Sequence, residues 1–132
     1  MLAQDYNLIT YKIIRCAIEV HKILGPGLME SVYEVCLYEE MQHYGLTVER
    51  QKSLPVNYKG NSLHKEFFID QLVDNEIILE LKSVESILPV HEAQLLTYLK
   101  LSEKKLGLLI NFNVPVLKEG IRRKINGNLN HK

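Results

Sequence analysis

Ile9, Ile13, Ala17, Val20 and Leu24 recur at intervals of three and four residues, the spacing of an amphipathic helix with one buried stripe. Gly25-Pro26-Gly27 should end it. Val32, Tyr33, Cys36, Leu37, Met41 and Tyr44 then repeat the helical period, with Gly45 placed for a left-handed C-terminal cap. From Leu46 the texture changes to short alternating runs through Val48, Leu54, Val56 and Tyr58, which predict a strand closed by a turn at Lys59-Gly60-Asn61. Pro55 places that strand at a sheet edge, because proline has no N–H to give a ladder.

Two further strand-like runs, Phe67–Val73 and Ile77–Lys82, flank the polar triplet Asp74-Asn75-Glu76 and predict a central hairpin. Pro89 suits the first turn of a helix whose apolar face is Ala93, Leu95, Leu96 and Leu99, ending before Gly107. Leu106–Phe112 is nearly continuous in apolar residues, as in an interior strand, and its arrival after a helix predicts parallel pairing. The order expected is α, α, β, β, β, α, β, followed by a basic tail with Arg122, Arg123 and Lys124.

Charged residues interrupt the hairpin where packing alone would not put them: Asp70, Glu80 and Lys82. Glu80 and Lys82 leave the same face of a strand. Asp70 joins them only in one register. A two-residue loop at Asp74-Asn75 sets Asp70 against Leu79, whereas a three-residue loop that includes Glu76 sets it against Glu80. Two carboxylates so placed repel unless a cation lies between them, and their oxygens suit Mg²⁺ or Mn²⁺ rather than zinc. A lysine beside such a cation can orient or deprotonate a water that attacks a phosphate. An ordinary salt-bridged surface hairpin would carry the same letters; the strongly apolar flanks make a solvated face less natural.

Glu30 follows the glycine-proline break, where the helix dipole favours a carboxylate. Gln94 and Tyr98, four apart, share a helix face and can reach a ligand together. His21, His43, His64, His91 and His131 show no metal-ligand spacing, and no glycine-rich phosphate loop is present.

Composition narrows the class without naming a function. The 132 residues are 46% apolar and 24% charged, as in an ordinary folded domain spanning 1–132. Sixteen basic residues offset sixteen acidic ones, so no overall positive field announces a polyanion. Cys16 and Cys36 read as buried reduced thiols. The opening residues lack a basic start followed by an apolar core, and no apolar run reaches transmembrane length, so a cytoplasmic protein is expected.

The motifs Gly27-Leu28-Met29-Glu30-Ser31-Val32-Tyr33, Gln51, Ile69-Asp70-Gln71-Leu72-Val73, Glu80-Leu81-Lys82, His91 to Leu99 and Gly107 to Phe112 together resemble the GxxExxY proteins, a prokaryotic branch of the PD-(D/E)XK nuclease superfamily. The resemblance covers almost the whole chain. It implies a restriction-endonuclease-like α/β core of order α-β-β-β-α-β with an extra N-terminal helix and a mixed sheet flanked by helices. It also implies metal ligation by Asp70 and Glu80, with Glu30 completing the set, Lys82 as the catalytic lysine, and Gln94 with Tyr98 as a pair resembling the QxxxY element of RecB-like nucleases. Gln71 departs from the family, which usually carries an apolar residue there; an outward or site-facing amide should be tolerated at that position.

The expected activity is therefore divalent-metal-dependent hydrolysis of phosphodiester bonds in nucleic acid, DNA before RNA. The alternative is an inactive module of the same fold that binds nucleic acid or a protein. A homodimer would enlarge the footprint of so small a nuclease.

Overall fold

In the computed structural model residues 1–130 are described, so His131 lies outside the described residues. Two helices open the chain, α1 (Ala3–Leu24) and α2 (Glu30–His43). Strands β1 (Val48–Tyr58), β2 (Asn61–Val73) and β3 (Ile77–Lys82) follow, then α3 (Pro89–Ser102), β4 (Leu106–Asn111), a short 3₁₀ turn at Leu117–Gly120, and β5 (Ile121–Ile125).

The five strands form one mixed sheet in sequential order, with β1 and β5 at its edges. Pro55 therefore sits on an edge strand, as its missing N–H requires. The crossover through α3 makes β3 and β4 parallel; all other neighbours are antiparallel. Helices α1 and α2 cover one face over Val73, Ile77, Leu79, Leu106 and Leu108, while α3 covers the other over Leu72, Ile78 and Leu109. The expected architecture is present, with one addition. The basic tail is not a tail: Ile121–Ile125 pairs with β4 as a fifth strand. Five residues rich in Arg and Lys hide a strand period, because only Ile121 and Ile125 mark it.

The break between the helices is fixed by buried aromatic packing. Gly27 adopts φ 93°, which side-chain-bearing residues rarely tolerate. Tyr33, fully buried, stacks on Phe112 at 4.4 Å and accepts a hydrogen bond from the Leu28 N–H (3.1 Å) while donating to the Gly25 carbonyl (2.5 Å). Glycine, glutamate and tyrosine of the 27–33 motif thus act together: the turn and its tyrosine latch deliver Glu30 to the first position of α2.

Candidate active site

Asp74 and Asn75 both take left-handed conformations, and the turn delivers Val73 opposite Ile77, Leu72 opposite Ile78 and Gln71 opposite Leu79. This is the three-residue-loop register. The regular ladder stops there. At the next position the side chains take over: the Asp70 N–H donates to Glu80 Oε1 (3.2 Å), and the Leu81 N–H donates to Asp70 Oδ2 (2.7 Å). Each carboxylate closes the gap from its own strand onto its partner's backbone.

The same position is irregular toward β1. Arg50 pairs with Gln71 and Lys52 with Ile69, while Gln51, between them, has φ 49°. The consequence shows in the facing of side chains. Val73 and Gln71 point toward α2, but Ile69 and Phe67, which strict alternation would keep on that face, pack toward Leu95 and Tyr98 of α3. The β1–β2 ribbon therefore inverts its faces at Gln51 and Asp70. Such an inversion spends regular pairing where a functional side chain is presented.

Burial first, and then the crowding charge of Asp70, push the Glu80 carboxyl up to about 8; the Asp70 N–H and Lys82 oppose the rise. Asp70 is also raised, by burial first, against the pull of the Leu81 N–H and Lys82, with Glu30 and Glu34 adding to the rise. Tyr98 is raised by its burial and by the nearby charges of Glu80 and Asp70. These effects place Lys82 and Tyr98 in the field of the pair. Lys82 is half-buried and forms no salt bridge among the described residues.

Glu30 and Asp70 line a common cleft of about 210 Å³ with Ser31, Glu34, Gln51 and Leu81. Glu30 is exposed and does not close on the pair: among the described residues no three carboxylate, imidazole or thiolate side chains form a ready-made metal cage. Gln94 is exposed on α3, one turn before Tyr98, which is buried.

The Gln71 amide turns inward, to a carboxylate that lines the same cleft. Gln71 is fully buried, and its Nε2 donates to Glu34 Oε2 (2.6 Å) and to the Glu34 carbonyl (2.9 Å). Arg50 grips the same carboxylate through Nε (2.9 Å) and Nη2 (2.6 Å). Burial alone would push the Glu34 carboxyl up, but the hydrogen bonds from Arg50 and Gln71 hold it below its usual range. This clamp ties α2, one turn beyond Glu30, to β1 and β2 beside Gln51 and Asp70. Its sequence signal was the spacing of Glu30 and Glu34, which stacks two carboxylates on one helix face.

Behind Lys82, buried Asn111 accepts from the Val84 N–H (3.0 Å) and donates to the Val84 carbonyl (2.9 Å), fixing the exit of β3. The histidines are structural where bonded: His21 Nε2 meets the Val114 carbonyl at 2.8 Å, and His91 Nδ1 accepts from the Leu88 N–H at the start of α3 (3.0 Å).

Arg122, Arg123 and Lys124 do not share one face of the sheet. Strand alternation divides the three: Arg123 donates to Asn7 of α1 (2.7 Å), Lys124 is neutralised by Glu92 of α3 (2.7 Å), and Arg122 bonds the carbonyls of Glu119 and Ile121.

Two opposed acidic side chains on adjacent strands, followed by a lysine two residues on, set within this sheet order, agree with a match to the PD-(D/E)XK nuclease superfamily over residues 7–124. The chain belongs to that superfamily. The crystal structure of SSO0001 resembles this PD-(D/E)XK domain with a TM-score of 0.51 at 20% identity, over 75% of this chain and 50% of the other. The chain thus spans half the length of that protein, and the likeness is one of fold. No curated protein matches the chain.

Proposed function

We propose that this PD-(D/E)XK domain is a divalent-metal-dependent nuclease acting on DNA. The observation that carries the reading is the geometry of half-buried Asp70 and buried Glu80, two carboxylates aimed into one gap by backbone N–H groups, with burial raising the proton affinity of both and Asp70 raising that of Glu80 further against the pull of Lys82. The donor set fits a hard cation: Asp70 and Glu80 would hold Mg²⁺ or Mn²⁺, with Glu30 swinging in from α2. When bound, such an ion supplies Lewis acidity at the phosphate and its counter-charge.

The protein's own groups then divide the remaining work. Lys82, without a salt-bridge partner among the described residues, orients the attacking water and offsets charge on the phosphate. The Tyr98 hydroxyl keeps its proton and supports the pair from the α3 side. Gln94, exposed one turn away, is free to reach substrate. We place this activity in the cytoplasm, a reducing setting that the free Cys16 and Cys36 suit.

One observation favours the alternative of an inactive binding module: Glu30 stands off the pair instead of completing a cage. Calorimetric titration with Mg²⁺ and Mn²⁺ tests the proposal. Binding by the parent and loss of binding in Asp70→Asn supports it; no binding by the parent supports the inactive module.

A further inference from the structure

The β1–β2 hairpin runs well past the body of the sheet, which it leaves at Asp70. From Asp70 to Asn61 is about 30 Å of extended chain at ~3.3 Å per residue. Beyond Leu54 and Phe67, which pack toward α3, neither strand has a further strand neighbour among the described residues. An isolated two-stranded ribbon is marginal in water and ordinarily keeps its surface polar. This one does not. Tyr58 is 60% exposed, Phe68 55% and Leu63 47%.

The arm's charge is as segregated as its rings. Residues 52–68 contain Lys52, Lys59 and Lys65 against Glu66 alone, in a chain whose overall charge is zero. Lys52 is paired with Glu49 (2.9 Å), whereas Lys59 and Lys65 have no carboxylate partner among the described residues. Lys59 lies 5.5 Å from the centre of the exposed Tyr58 ring. A second copy adding a strand here would meet Pro55 and these lysines on the edge, features that discourage strand addition.

Phe68 stands opposite Ser53, two residues from Asp70, on the face turned away from α3. Exposed rings interleaved with unpaired cations, running to the doorstep of the carboxylate pair, match unpaired bases on a sugar-phosphate strand. In a duplex the bases stack on one another and offer protein rings no face; in a single strand every base has a free one. We propose that the arm is a two-sided stacking support round which single-stranded nucleic acid passes, with Tyr58, on the α3-facing side with Leu54, and Phe68, on the opposite side, taking bases and Lys59 and Lys65 taking phosphates. It deepens the nuclease reading by naming the form of substrate that reaches Asp70, and rests on that reading for the ligand class.

The test is affinity for an oligothymidylate of about 16 nucleotides, its uridylate counterpart and a duplex of equal length, with Ca²⁺ in place of Mg²⁺. Parent protein should prefer the single strands. Tyr58→Ala and Phe68→Ala should each weaken single-strand binding about 5- to 150-fold, the range for loss of one stacked base, with little effect on the duplex. Phe68→Tyr should restore binding and Phe68→Leu should not. Since the chain has no tryptophan, Tyr58→Trp adds a single indole whose emission the oligonucleotide should quench. Unchanged affinity in both alanine variants, equal losses for duplex, or no oligonucleotide binding by the parent would each overturn the proposal. So would dissociation of a parent dimer by either variant, which would make the arm an interface between copies. Cleavage by a parent whose binding ignores the arm sinks this inference alone; arm-dependent binding without cleavage sinks the nuclease reading alone. The thymidylate and uridylate arms show whether DNA or RNA is preferred.

Discussion

Asp70 and Glu80 face one another where the β2–β3 ladder ends, and each accepts a backbone N–H from the partner strand, Glu80 from Asp70 and Asp70 from Leu81. The backbone thereby aims both carboxylates into one gap before any ligand arrives. Without a cation, burial disfavours both charges and Asp70 adds to the cost at Glu80, which leaves a measurable trace in the protein's proton binding.

Glu80 is raised from 4.5 to about 8, so between those values the folded protein holds a proton that the unfolded chain has released. Stability of the metal-free protein should fall as pH rises through that window, by something of the order of a few kcal/mol. Glu80→Gln should flatten the fall and raise the melting temperature at pH 8. Thermal melts in EDTA from pH 5 to pH 8.5 check this; a parent and variant with parallel pH profiles would contradict it.

Cation binding must displace the proton held on Glu80. Mg²⁺ affinity should therefore rise with pH, and calorimetry in buffers of different ionisation enthalpy should show proton release that shrinks toward pH 9. Glu30→Ala should weaken binding only several-fold, because Glu30 is exposed and stands off the pair, whereas Asp70→Asn should abolish it.

Lys82→Ala should remove cleavage and leave both metal affinity and melting temperature close to the parent's, since Lys82 makes no salt bridge among the described residues. Steady-state cleavage beside metal titration separates this outcome from simple unfolding. Cleavage within a few-fold of the parent would remove Lys82 from the reaction.

The Arg50–Glu34–Gln71 clamp carries a different expectation. Arg50→Ala leaves a mostly buried carboxylate with one partner fewer and should destabilise the protein by about 1–3 kcal/mol in urea titrations. The loss should be smaller in the Glu34→Gln background, where no charge is stranded. Equal losses in both backgrounds would show that the ion pair contributes nothing beyond its packing.

The elements were legible because their signals are local. Periodicity gave both opening helices, Gly25–Gly27 their break, Pro55 the edge and Pro89 the start of α3. The hairpin register was legible only as a condition, since two loop lengths fit the sequence and only one brings Asp70 to Glu80. What escaped was tertiary. The partners of Glu34 lie on other elements, so the role of Gln71 as a buried link could not be read from strand alternation. The inversion at Gln51 and Asp70 escaped for a related reason: alternation was assumed through a point where a positive φ turns it over. Strand β5 was lost because its charged residues alternate between two partners, Asn7 on one face and Glu92 on the other, instead of forming one surface.

The most direct measurement of the central claim is cleavage of an end-labelled DNA oligonucleotide by parent and Glu80→Gln proteins purified side by side, with Mg²⁺, with Mn²⁺ and with EDTA. The account predicts fragments from the parent with either ion, none in EDTA, and a loss of at least ~100-fold in the variant, the scale on which removing one stabilising group at a reacting centre acts. Equal cleavage by parent and variant, or cleavage that persists in EDTA, would contradict it.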